Sequence, residues 1–351
     1  MSAVPPGITV TGTAQRQAWI DRVLPPVEMV RPGLWSIPTP FPDNPLRYVL
    51  SYAIAYAGGV ALIDTGWPCE QAWDGLEAGL HECGWEADDI KAVLVTHGHG
   101  DHMGLARRIR ERTGAWVAMH EADSDNPEQA EDHTEFLRAN ARWLERRGGI
   151  PAEVWAKQPR VEMFEQFRLV PDRFLVDGDR PLGAGTDLIN VWTPGHTPGH
   201  VCFFDSARNV VMTGDHILPR ITPNISPSPF QTEDILGQYL ASLSNLSGMG
   251  AEEVLPAHEY RFIGLDERVQ GLREHHRVRL SEVIDVLTDH PGSTTARVAE
   301  GLHWSRPWDQ MLGMQRRFAI GEAYSHLVHL EHTSRIVNKG ADVDAWYLLE
   351  D

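Results

Sequence analysis

The sequence predicts an α/β body followed by a smaller C-terminal domain. Three observations carry that expectation: strand-like and helical stretches alternate, residues able to bind metal stand where strands end, and residues 271–351 carry three helical segments before a hairpin. A chain of 351 residues is long enough for two domains with sizeable cores.

Residues 1–30 carry proline pairs at Pro5-Pro6 and Pro25-Pro26 and read as an N-terminal arm around one short helix. The body then runs over residues 31–270. Residues 34–66 are strand-like, with β-rich runs at Tyr48–Leu50, Ala53–Tyr56 and Val60–Ile63, and Gly58-Gly59 between the last two is a hairpin signal. Residues 70–83 read as a helix, Ile90–Val95 as a buried strand, and 102–113 as a helix stopped by Gly114. The stretch 121–173 is acidic and helical, interrupts the alternation, and reads as an inserted candidate lid. Its Trp143, Trp155, Phe164 and Phe167 are candidates to line an apolar pocket. Strands resume at Leu188–Trp192, Val201–Phe204, Val210–Met212 and Glu253–Leu255, with a proline-rich loop at 221–230 and a helix at 233–247. Three helices and a hairpin in residues 271–351 follow the order of a winged helix.

The net charge is −18, from 31 basic and 49 acidic residues, which disfavours a polyanion-binding surface. Residues 271–351 alone hold nine basic and 12 acidic residues, where a nucleic-acid-reading winged helix should be basic. Arg316-Arg317 reads as a solvated helix face. Cys69, Cys83 and Cys202 are odd in number and widely spaced, so no disulfide framework is expected. The N-terminus lacks a basic start followed by an apolar run, and no apolar stretch approaches the ~20 residues that span a bilayer. A cytoplasmic protein without a membrane partner is expected.

The strongest chemical signal is Thr96-His97-Gly98-His99-Gly100-Asp101-His102, where a buried strand gives way to a helix. Imidazole and carboxylate are the ligands that zinc and its neighbours favour. Gly98 and Gly100 are expected to permit sharp turns that let the side chains converge. Further candidates stand at other strand ends: His196 and His200 in Thr193–His200, Asp215 and His216 after Thr213-Gly214, and His258 after Leu255. No G-x-S-x-G elbow, P-loop or dinucleotide fingerprint occurs.

These motifs, together with Leu62-Ile63-Asp64-Thr65-Gly66, resemble the metallo-β-lactamase superfamily over about residues 30–265. Within it the chain is similar to the hydroxyacylglutathione-hydrolase and β-lactamase-like protein 2 branches. The resemblance implies a four-layer αββα sandwich with a C-terminal winged-helix-like domain. It implies two divalent metal ions, zinc first and iron or manganese as alternatives: His97, His99 and His196 on one, Asp101, His102 and His258 on the other, and Asp215 bridging both. Asp101 would also be catalytic, accepting a hydrogen bond from the nucleophile. Asp64, Thr96, His200 and His216 would support the ligands from behind, and Arg220 and Tyr260 are the candidates to contact substrate. The implied reaction is hydrolysis by a metal-bridging hydroxide, on a thioester, ester or lactone of a small molecule. The alternative is cleavage of phosphodiesters in single-stranded RNA; a third reading is a non-catalytic regulatory or dimerising protein. Nucleic acid is not the expected partner, and a homodimer is the candidate assembly. No counterpart of a glutathione-binding region is visible.

Overall fold

The computed structural model describes residues 4–124, 133–149 and 169–349. They form two compact units. One comprises residues 4–124, 169–223 and 242–269, the other residues 133–149, 224–241 and 270–349.

The first unit begins with β1 (Thr9–Val10), α1 (Thr13–Asp21), β2 (Glu28–Arg31), β3 (Leu34–Pro40), β4 (Tyr48–Tyr56) and β5 (Gly59–Ile63). It continues through α2 (Glu70–Glu82), β6 (Ile90–Leu94), α3 (Gly100–Met103), α4 (Ala106–Thr113), β7 (Trp116–Met119) and α5 (Glu121–Ser124). After β8 (Arg173–Phe174) come β9 (Leu188–Trp192), β10 (Val201–Asp205), β11 (Val210–Gly214), β12 (Glu253–Pro256) and β13 (Phe262–Ile263). β2 to β8 form a seven-stranded sheet in sequence order. The other strands form a six-stranded sheet ordered β1-β13-β12-β11-β10-β9, so the N-terminal arm contributes an edge strand.

Period-two alternation explains why these sheets stack. Tyr48, Leu50, Tyr52 and Ile54 of β4 share one core with Val201 and Phe203 of β10 and Val210 and Met212 of β11. Residues of opposite parity, such as Ala53 and Val93, pack with Trp73, Leu76 and Ile109 of α2 and α4. Mixed sheets face each other with helices outside, which is the metallo-β-lactamase fold.

The second unit opens with α6 (His133–Arg146). Helices α7 (Ile235–Leu246) and α8 (Leu265–Asp289) contribute residues to both units. The second unit then closes with α9 (Thr295–Gly301), α10 (Met314–His332) and the antiparallel hairpin of β14 (Ile336–Asn338) and β15 (Trp346–Leu348). Trp143 and Leu144 of α6 pack with Val283, Val298, Leu327 and Trp346. Trp143 is thus core and lines no substrate pocket. Trp155, Phe164 and Phe167 lie outside the described residues. Arg317 is buried too, donating to Ser226 Oγ at 2.9 Å and Pro227 O at 2.8 Å; the solvated face expected for it is a packed one.

Candidate metal centre

The topology brings distant residues to one end of the stacked sheets. β11 and β12 are parallel, so Asp215 and His258, which follow them, emerge on the same side. β9 and β10 are antiparallel, which places the intervening loop carrying His196 at that edge. In the other sheet β5 and β6 are parallel, and their carboxyl ends deliver Asp64 and Thr96. Backbone bonds tie the ends together: Val201 N–H donates to Thr96 O at 2.8 Å, and Leu50 N–H to Ala257 O at 2.7 Å. Gly214 has φ +48°, and a Cβ there would meet His200 Nε2 and Thr96 Oγ1, each at 2.8 Å, so only glycine fits before Asp215.

Two triads of donor atoms result, His97/His99/His196 and Asp101/His102/His258, with a third group, His97/His102/Asp215, overlapping both. His99 Nδ1 lies 3.0 Å from His97 Nε2 and 3.2 Å from His196 Nε2. In the second, Asp101 Oδ2 lies 3.6 Å from His102 Nε2 and 3.4 Å from His258 Nε2. Asp215 turns one oxygen to each: Oδ1 is 3.5 Å from His102 Nε2 and 3.2 Å from His258 Nε2, and Oδ2 is 3.7 Å from His196 Nε2. Ligand atoms at about 2.0–2.1 Å around a tetrahedral ion sit roughly 3.3 Å apart, close to these separations. The Nε2 atoms of His102 and His258 and Asp215 Oδ1 are buried without an aligned hydrogen-bond partner. Buried polar atoms are rarely left so, and a divalent cation would satisfy all three. The donor set fits metal.

Hydrogen bonds behind the histidines fix which nitrogen faces inward. Asp64 accepts from Thr96 N–H and Thr96 Oγ1–H, each at 2.8 Å. With its proton committed, Thr96 Oγ1 accepts from His97 Nδ1–H at 3.0 Å, leaving His97 Nε2 for a ligand bond. Asp64 also accepts from His102 Nδ1–H at 2.8 Å, and Tyr48 O from His258 Nδ1–H at 3.0 Å. Gly98 and Gly100 need no left-handed backbone here. Asp64 does, at φ +58°, a conformation Asp tolerates better than most residues.

Electrostatics divide the triads. Burial, then neighbouring His102, holds His97 well below the usual imidazole range, and burial with His196 lowers His99 to about 3. These rings are neutral near pH 7 and can offer lone pairs. Burial also opposes charge on His102, but Asp101, Asp64 and Asp215 outweigh it and raise its pKa to about 9. His258 rises well above its ordinary value, Asp215 and Asp101 overcoming burial. A divalent cation would displace those protons.

The other named residues fall around this centre. His200 is fully buried, its Nδ1 2.8 Å from Thr193 Oγ1 and its ring stacked 5.1 Å from that of His97. His216 is buried with its ring 5.4 Å from that of His200. His200 thus stands beside His97, and His216 beside His200. Arg220 is engaged by buried Glu259, at 2.6 Å from Nη2 to Oε1. Tyr260 is only 2% exposed. Sequence reasoning missed Asp123, a buried carboxylate bonded to both histidine-bearing loops. It sits among other acids, and nothing local sets it apart.

Comparison with known proteins identifies the family. The profile of the metallo-β-lactamase superfamily matches residues 44–258. The chain belongs to that superfamily. Lactamase-like protein vrtG of Penicillium aethiopicum is 31% identical over 143 residues, 40% of this chain and 43% of that protein, so the match spans less than half of that relative. A beta-lactamase-like protein 2 homolog of Caenorhabditis elegans is 26% identical over 269 residues, 76% of this chain and 75% of that protein. The crystal structure of a metallo-β-lactamase family protein from Thermus thermophilus superposes with TM-score 0.76 at 28% identity, covering 92% of this chain and all of that one. Among the described residues, no helix is long and apolar enough to cross a membrane.

Proposed function

We propose that this protein is a metal-dependent hydrolase holding two divalent ions, zinc first, and that it cleaves a thioester, ester or lactone of a small molecule. The observation that carries the reading is Asp215, whose two oxygens face different triads. His97, His99 and His196 would hold one ion, and Asp101, His102 and His258 the other. When bound, such ions supply an activated water and a Lewis acid for the substrate's carbonyl oxygen.

The chain's own residues do the remaining work. Asp64 and Thr96 orient His97 and His102, and Tyr48 O orients His258. Asp101, whose pKa is lowered because His102 and His258 outweigh its burial, stays ionised and can accept a hydrogen bond from an attacking water. The net charge of −18 supports a small-molecule substrate over a polyanion.

The experiment is a metal assay of purified protein followed by turnover of thioesters, esters, lactones, phosphodiesters and short RNAs. Acyl-substrate turnover lost on chelation and restored by zinc supports the proposal. Metal-dependent cleavage of single-stranded RNA without acyl hydrolysis would replace it with the nuclease reading.

A further inference from the structure

The two loops that carry the first triad are joined by a carboxylate with no place in the ligand set. Asp123, on α5, is fully buried. Its Oδ2 accepts from Gly98 N–H at 2.7 Å and from Thr197 Oγ1–H at 2.7 Å. Its Oδ1 accepts from Gly199 N–H at 2.6 Å. Gly98 lies between His97 and His99, while Thr197 directly follows His196.

We propose that Asp123 is the positioning residue of the first triad, setting the separation of His196 from His97 and His99. The inference rests on the metal-centre reading and adds a residue to it. The chemistry requires a carboxylate, because all three partners donate and an ionised Asp only accepts. Two of those donors are backbone N–H groups, so no neighbouring substitution can reverse them. Approach is equally demanding: a Cβ on Gly199 would stand 2.6 Å from Asp123 N and 2.7 Å from its Cγ. The flanks of α5 add a second hold on the same loop. His120, just before it, stacks on Trp192 with centroids 5.2 Å apart and planes 2° from parallel. Trp192 Nε1–H in turn donates to Pro198 O at 3.0 Å.

In the second triad His102 and His258 are braced by Asp64 and Tyr48 O, and Asp64 reaches the first triad through Thr96 and His97. Loss of Asp123 should therefore act on one ion and spare the other.

The test is chelator competition and Co²⁺ absorption on the full-length protein, comparing wild type with Asp123→Asn and Thr197→Val. Asn places an N–H₂ where one of the donors needs an acceptor. The expected result is that Asp123→Asn weakens one of two metal equivalents by about 10–100-fold, the range for residues that orient ligands, and alters the Co²⁺ spectrum of that ion. Thr197→Val, which removes one donor and keeps side-chain volume, should shift the same ion less. Unchanged affinity and spectrum in Asp123→Asn would overturn the proposal. So would equal weakening of both ions in Thr197→Val, the variant that answers the question should Asp123→Asn not fold. A wild-type chain that takes up no metal would instead bring down the metal-centre reading beneath it.

Discussion

Histidines are buried in both units, and they differ in what meets the nitrogen left over after the outward hydrogen bond. In the first unit His97, His102 and His258 each turn an N–H outward, to Thr96 Oγ1, Asp64 and Tyr48 O, so their remaining nitrogens converge. In the second, His326 Nδ1–H donates to Glu322 O at 2.7 Å, and its Nε2 lies 3.1 Å from His276 Nδ1. There one imidazole consumes the lone pair of the other. Among the described residues, every group of three convergent metal-ligand atoms lies in the first unit. A buried histidine becomes a ligand candidate when its proton is taken from behind and its other nitrogen meets further ligand atoms; burial alone confers nothing.

The sharpest way to break the comparison is Asp215→Ala. Losing the group that faces both triads should remove several kcal/mol of charge stabilisation, a fall in turnover of about 1,000-fold or more, with reduced zinc content by elemental analysis. His276→Gln, in the second unit, should leave zinc content unchanged. A loss of metal there would show that the two wirings are not functionally distinct.

Asp64→Asn comes next. The amide offers an N–H₂ toward His102 Nδ1–H or Thr96 Oγ1–H, and the disturbed orientation should cost about 10–100-fold in metal affinity. Competition with a chromophoric chelator reads this directly.

A smaller effect concerns pH. Burial, then His326, holds His276 well below the ordinary imidazole range, and burial lowers His326. A histidine whose folded pKa is depressed contributes fully above its unfolded value, near 6.5, and loses that contribution as pH falls through it. Thermal stability should fall with acid below about pH 6.5, by up to about 1.4 kcal/mol per pH unit for each proton taken up on unfolding. His276→Leu should flatten that slope; an unaltered slope would count against a neutral pair.

Smallest of all is His120→Ala, which removes the stack on Trp192. An aromatic pair of this kind is worth about 0.5–1.5 kcal/mol beyond its area, so melting should shift modestly with zinc content preserved.

The ligand candidates were legible because strand ends place chemistry where chain order can be read. His97, His99, Asp101 and His102 fall within six residues, and His196, Asp215 and His258 each follow a recognisable β-run. What escaped depends on burial and long-range pairing. Asp123 looks like one more acid, yet its partners lie 25 to 76 positions away. Arg317 looks like half of a surface pair, yet its guanidinium bonds to a loop about 90 residues earlier. Residues 133–149, within the stretch read as an insertion, interrupt the first unit and pack in the core of the second.

Asp215 has one further consequence. It turns a separate oxygen to each triad, Oδ1 to His102 and His258 and Oδ2 to His196. On the proposed two-ion reading each position therefore keeps its own braces and its own affinity. Limiting zinc would then populate singly loaded chains before full ones, and a metal titration would resolve two steps.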